Sequence, residues 1–340
     1  MKQLGVISRT AALIAVLIGV IGATLVVAAP GECPTLVFRD RPFNAMFTSD
    51  QDAWIVGYPG LLMHSTDGGR NWQRQCEIGD LALYSIAFSD AKNGWVVGRS
   101  GMILHSTDGG QTWKPREPLC PEALFDITFT DPQNGWIVGN FGRLSRTTDG
   151  GQHWSAEVIG PMSNASINTV VFLDAKHGFI GGEYPIWEAQ LDETVKLSSL
   201  SNLFVTKDGG NTWQVVEAGT KFTIYDLYFA DALHGWGVGA KGTFIKTTDG
   251  GVTWQVLPTG VSAHLLKIAA GPDGLWLAGT EGVLLKVVGD KVEPVNVNAY
   301  SWLSAVAFSK AGNGVVVGGR GTLLATQDNG AKWQLYSTKP

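Results

Sequence analysis

Short apolar runs divided by turn residues recur along the chain. One run has the form Gly-Trp-x-Val-Gly, as in Gly94-Trp95-Val96-Val97-Gly98 and Gly135-Trp136-Ile137-Val138-Gly139. A short unbroken apolar run bounded by glycines is the pattern of a strand covered on both faces. Its anchor position is Trp54, Trp95, Trp136, Phe179, Trp236, Trp276 and Val315, each with a Gly three residues on. Seven residues before the anchor stands Phe47, Phe88, Phe129, Phe172, Phe229, Ala269 or Phe308. The anchors are 41, 41, 43, 57, 40 and 39 residues apart, so the chain holds seven repeats.

A second pattern, Ser/Thr-x-Asp-x-Gly-x-x-Trp, follows most anchors. It runs Ser65–Trp72, Ser106–Trp113, Thr147–Trp154, Thr206–Trp213, Thr247–Trp254 and Thr326–Trp333. Gly residues here permit positive φ, and the Asp can accept hydrogen bonds from the N–H groups of its own turn. The Trp then covers the turn. The pattern reads as a self-contained hairpin clasp, and Asp67, Asp108, Asp149, Asp208, Asp249 and Asp328 read as structural. The sixth repeat keeps only Gly289-Asp290-Lys291 of this turn. In the fourth, Asp208 follows Phe179 by 29 residues where 13 is usual, which marks an insertion at about 183–202.

The second repeat predicts strands over Tyr84 to Phe88, Gly94 to Gly98, Met102 to Ser106 and Thr112 to about Lys114. Four short strands per repeat, seven times, predict an all-β fold, a seven-bladed β-propeller with four-stranded blades. The propeller is expected over 35–338. The tail Lys332 to Ser337 is expected to pair with, or lie beside, Thr35 to Arg41 and help close the ring.

Alternating strand direction sorts the loops. Turns between first and second strands share a face with the clasps. Turns between second and third strands share the other face with the crossovers to the next blade and with the insertion. Function is expected on that second face, because loops carry function more often than scaffold does. Its candidate partner-binding residues are Tyr58, Arg99, Arg143, Tyr184, Trp187, Lys241 and Arg320. A polar position near the channel mouth holds Asn44, Ser85, Asp126, Thr169 and Asp226, with Leu266 and Ala305 in the last two repeats.

Composition agrees with many tight turns: 44 Gly and 13 Trp, with 16% charged residues. A net charge of −5 with no basic stripe argues against nucleic-acid binding. Lys2 and Arg9 precede an apolar run from Thr10 to Pro30, the pattern of an export signal. Residues 1–30 are therefore a signal peptide or an N-terminal membrane anchor, with a possible tether through 10–30. Either places the propeller in the periplasm or an equivalent lumen. Export permits disulfides, and among Cys33, Cys76 and Cys120 the preferred pair is Cys76–Cys120. No Cys or His spacing suggests a metal, no Gly loop suggests a phosphate, and no cofactor is expected.

The clasp resembles the Asp-box, or BNR, repeat of sialidases, xyloglucan-active glycoside hydrolases and sortilin-type receptors. The whole repeat resembles the photosystem II stability/assembly factor family and its bacterial relatives. That resemblance implies a monomeric, non-enzymatic propeller that docks on a membrane-protein complex or its assembly intermediate, in a photosystem or a transporter system. It also implies an arginine-rich patch, whereas Arg99, Arg143 and Arg320 stand in separate blades. Pro30-Gly31-Glu32 before Cys33 is not a lipobox. The alternative is a sialidase-like or other Asp-box glycosidase. Its only acidic pair would be Asp126 and Asp226, with the fourth repeat between them. Phe38-Arg39-Asp40-Arg41-Pro42 echoes a sialidase Phe-Arg-Ile-Pro motif, but Asp40 and Arg41 break it.

Overall fold

The computed structural model describes residues 36–75, 78–159, 163–183 and 202–336. They form seven antiparallel sheets of four strands each, the expected seven blades. In blade 2 the strands are Leu83–Phe88, Gly94–Gly98, Ile103–Ser106 and Lys114–Pro115, from the innermost outwards. The innermost strands of neighbouring blades lie side by side round the whole ring, including Arg41–Phe47 of blade 1 against Leu303–Phe308 of blade 7.

The second strands are buried throughout in blades 2, 3 and 7, which is why they read as unbroken apolar runs. The recurring Gly at their outer end is a matter of space. A Cβ on Gly98 would stand 2.2 Å from the Ala82 carbonyl oxygen, and one on Gly57 2.2 Å from that of Arg41. Sheet and crossover approach too closely there for any side chain.

The clasp is not self-contained. A Cβ on Gly110 would lie 2.2 Å from the ring of Trp54, the anchor of the preceding blade. Trp54 also meets Phe88 and Trp113 of blade 2, with ring centroids 5.4 and 5.8 Å away. The arrangement repeats at Trp95 with Phe129 and Trp154, at Phe179 with Phe229 and Trp254, and at Trp276 with Phe308 and Trp333. Each clasp thus ties its own two outer strands and seals the joint to the blade before it. Edge-on and offset rings at these distances attract beyond the area that they bury.

Blade 6 replaces the clasp with a two-residue turn at Gly289 and Asp290, flanked by the pair Val288 and Lys291. Its outer strands pair over four residues, where the clasp of blade 2 leaves two.

Among the described residues the tail lies beside the entering segment by packing, without strand pairing. Gln334–Leu335 pairs only with the third strand of its own blade. Tyr336 packs in one core cluster with Leu36 and the facing strands of blades 1 and 7. The Gly321 N–H donates to the Asp40 carbonyl at 2.9 Å, as Gly60 does to Leu81 and Gly142 to Ala165 at ordinary joints. The seam therefore repeats the bonding of the other joints. Asp40 is fully buried beside Arg74, at 3.1 Å, and Arg74 also donates to the Pro59 carbonyl. Asp40, one of the two residues that broke the sialidase-like motif, thus pins the entering segment to blade 1 by its side chain and meets blade 7 by its carbonyl.

Candidate partner-binding face

Hydrogen bonds separate the two faces as the strand directions required. On one, the residue after each clasp Asp donates to the turn between the first two strands: Gly109 to Lys92 O at 2.8 Å, Gly250 to Leu233 O at 2.9 Å and, in blade 7, Asn329 to Gly312 O at 3.2 Å. On the other, turns between second and third strands bond the crossovers, as in Gly242 to Ala263 O at 2.7 Å.

The clasp carboxylates are committed to their own turns, at both oxygens in every clasp but that of Asp328. Asp108 accepts from the Ser106 hydroxyl at 2.7 Å, the Thr112 N–H at 2.9 Å and the Thr112 hydroxyl at 2.6 Å. These bonds, the Thr112 hydroxyl first, hold its carboxyl down to about 2. Asp208 and Asp249 keep the same company and are likewise held to about 2. A carboxylate so ionised and so occupied is no general acid. His64 and His105 stack on Trp54 and Trp95, 3.8 and 3.7 Å between centroids, and burial lowers both imidazoles.

On the opposite face, one turn position adopts positive φ in five blades: Ser100, Phe141, Lys241, Glu281 and Arg320, at φ 57, 55, 55, 62 and 60°. A following Gly completes each turn, and the five side chains are exposed at its tip. Lys241 and Arg320 of the expected set occupy this position. The Lys241 ammonium lies 5.1 Å from the Phe222 ring, and the Arg320 guanidinium 6.0 Å from that of Phe38. Arg99 stands one residue before the tip and is exposed. Tyr58 is partly exposed at the end of its strand. Arg143 is drawn inwards by an ion pair with Glu122 at 3.2 Å, so it offers the face less than its place in the turn suggested. The expected residues do not converge on one patch of charge, and Glu281 puts a carboxylate among the tips. Tyr184 and Trp187 lie outside the described residues.

Phe141, 59% exposed, was absent from the expected set. Its signal was in the turn Asn140-Phe141-Gly142-Arg143: an aromatic residue directly before the Gly that completes a left-handed turn must point away from the sheet. Cys120 is a buried free thiol, its Sγ 3.8 Å from the Glu122 carbonyl, raised chiefly by burial. Its expected partner Cys76 lies outside the described residues, so the pairing is left as an expectation.

Polar side chains form a belt in the central channel. Asn44 donates to Ser85 at 3.3 Å, and Ser85 to Asp126 at 2.8 Å. Thr169 donates to Asp226 at 3.4 Å, and Lys267 to Asp226 at 3.1 Å. The sixth member is Lys267, not Leu266. A bulge between Leu265 and Lys267 sets Lys267 opposite Ala278, as Asp226 sits opposite Val238. The shorter turn between the first two strands of blade 6 had displaced the sequence alignment by one residue. Burial pushes the Asp226 carboxyl up. Burial alone would lower the Lys267 ammonium, but Asp226 and Asp126 outweigh it and hold it above the usual lysine range. Asp126 further accepts from the Ile127 and Val170 N–H groups, both at 3.0 Å. The two carboxylates of the glycosidase alternative are thus knitted into the wall. Among the described residues no cluster of three or more His, Cys, Asp or Glu side chains could hold a metal.

The repeats, clasps and ring define a seven-bladed propeller of the BNR class. The family described as "Photosynthesis system II assembly factor YCF48" matches residues 74–124, 119–201 and 205–292, more than half of the chain. The chain belongs to that family. A curated relative, the "Photosystem II assembly lipoprotein Ycf48" of Synechococcus sp. (strain CC9902), is 75% identical over 24 residues, 7% of either chain. This chain thus spans 7% of the length of that relative in the match. A solved structure titled "YCF48 bound to D1 peptide" superposes with a TM-score of 0.66 at 23% identity, over 86% of this chain and 95% of that one. A GH74 xyloglucanase from Xanthomonas campestris superposes with a TM-score of 0.69 at 14% identity, over 89% of this chain and 55% of that one. At such identities the likeness is one of fold.

Proposed function

We propose that this chain is an exported, non-enzymatic propeller that docks on a membrane-protein complex or its assembly intermediate through the turn-and-crossover face. One observation carries the choice of face. The clasp carboxylates are consumed by their own turns, while the opposite turns hold Ser100, Phe141, Lys241, Glu281 and Arg320 out into solvent. Exposed aromatic and cationic tips on a rigid scaffold suit partner recognition. Family membership supports the assembly role, and a D1 peptide bound to a structural relative supports a protein partner. Among the described residues no helix is long and apolar enough to cross a membrane. Any tether belongs to residues 1–30, which lie outside them.

The test is affinity capture of detergent-solubilised native membranes by the full chain. Wild type should retain a defined membrane complex, and Phe141→Ala with Lys241→Glu should retain markedly less. Capture lost instead through exposed Val252→Asp on the clasp face would reverse the assignment of faces. Hydrolysis of xyloglucan or a sialoside, abolished by Asp126→Asn, would overturn the non-enzymatic reading.

A further inference from the structure

Three of the four most exposed large apolar side chains among the described residues gather at one place. Tyr300 is 93% exposed, Phe38 74% and Leu335 67%. All three line a groove of about 660 Å³ beside the outermost strand of blade 7, between the crossover from blade 6 and the segment entering blade 1. Leu324 and Trp333 also line it, and among the described residues Arg320 is its only charged side chain. Solvated aromatics around an apolar trough mark an interaction site more often than chance exposure does.

The groove adjoins an open sheet edge. Among the described residues the strand Gln334–Leu335 pairs on one side alone, with Ala325 and Leu324. No backbone-to-backbone hydrogen bond involves Val297 to Ser301 among the described residues. A second groove continues along the same strand towards the clasp face. It shares Leu335 and Tyr336 and adds Arg70 and Lys332. Its lining includes one carboxylate, Asp328, whose Oδ1 accepts from the Thr326 hydroxyl and the Lys332 N–H, so the two cations leave this end of the edge with a net positive charge of one. An edge with cations at both ends and apolar side chains between them complements an extended acidic segment with alternating apolar residues.

We propose that this edge of blade 7 is where an extended, acidic-apolar peptide segment of the partner docks. The segment adds to Gln334–Leu335 as a fifth strand. Its carboxylates meet Arg320 at one end and Arg70 and Lys332 at the other, and its apolar side chains lie against Tyr300 and Phe38. The proposal rests on the reading that the chain binds a protein partner.

The probe is a fluorescein-labelled decapeptide alternating Leu and Asp, with a Leu–Lys decapeptide as control, in anisotropy titrations against the full chain. The Leu–Asp peptide should bind and weaken with added salt. Arg320→Glu should weaken it about tenfold and Tyr300→Ala several-fold, with melting temperatures unchanged, since both side chains are exposed. Absence of binding, equal binding of both peptides, or indifference to both variants overturns the proposal. So does sedimentation showing a dimer that Tyr300→Ala dissolves, because a second copy would then own the edge. The same variants go into the membrane capture. Undiminished capture by Arg320→Glu sinks this site while the docking role stands; no capture by wild type sinks the role itself.

Discussion

The joint between blades 1 and 2 and the joint between blades 5 and 6 start from the same anchor and end differently. At the first, Trp54 is 1% exposed, boxed in by Phe88, Trp113 and the backbone of Gly110. At the second, Trp236 faces a blade with Ala270 in place of the Phe, opposite Leu275 as Phe88 is opposite Gly94, and no clasp at all, and it is left partly exposed. Its nearest ring is Tyr228 of its own blade, 6.1 Å away. That joint is held instead by apolar packing of Val238 and Phe244 with Leu265 and Ile268. The difference teaches that the clasp is an inter-blade seal as much as a hairpin. A blade can lose it, provided that its outer strands lengthen and its neighbour accepts a wetter anchor.

If that is right, the same mutation should cost unequal amounts at the two joints. Trp54→Ala removes a wholly buried ring and leaves a cavity, and it should destabilise by about 3–5 kcal/mol. Trp236→Ala removes a partly solvated ring with fewer neighbours and should cost about 1–2 kcal/mol. Urea midpoints at constant slope measure both. Equal losses would break the comparison.

The second test varies the seal alone. Gly110 and Gly210 both sit at positive φ, 85 and 97°. Replacing either by Ala incurs the left-handed penalty, about 1–2 kcal/mol. A Cβ on Gly110 collides with Trp54 at 2.2 Å, whereas one on Gly210 meets nothing nearer than 3.5 Å. Overpacking should therefore make Gly110→Ala worse than Gly210→Ala by about 1–3 kcal/mol. Identical costs would mean that the second Gly answers only to backbone conformation.

The comparison also marks what could be read from the chain and what could not. Anchor spacing yields the blade count, and strand alternation yields the two faces, because both depend on local periodicity. The seal could not be read. The partner of Gly110 is Trp54, more than a repeat away, and only closing the ring brings them together. Lys267 was missed for a related reason, since a shorter turn in blade 6 shifts the register by one residue and nothing local announces it. Tyr300 and Phe38 lie in irregular crossovers whose solvent exposure no periodic pattern encodes. The insertion was legible as an extra length, and its candidates Tyr184 and Trp187 remain proposals.

The smallest effect separates clasped from unclasped blades by pH. Hydrogen bonds from Thr112 and Ser106 hold Asp108 at about 2, below the ordinary 3.8. A depressed carboxyl contributes stability that is present above its unfolded value and is lost as pH falls through its folded value. The melting temperature should therefore fall as pH drops from about 4 towards about 2. Turn carboxylates share that slope: Asp174 and Asp231 are also held near 2, chiefly by the His177 side chain and by the backbone N–H of Leu233 respectively. The difference between wild type and Asp108→Asn isolates one clasp. Asn keeps an acceptor for the turn N–H groups but cannot titrate, so the variant should start lower at neutral pH and lose less on acidification. The corresponding change in blade 6, Asp290→Asn, removes a carboxylate bound only to Lys246 at the surface. An equal flattening by Asp290→Asn would show that the acid sensitivity is general surface charge, and that the clasp carboxylates have no distinct part in it.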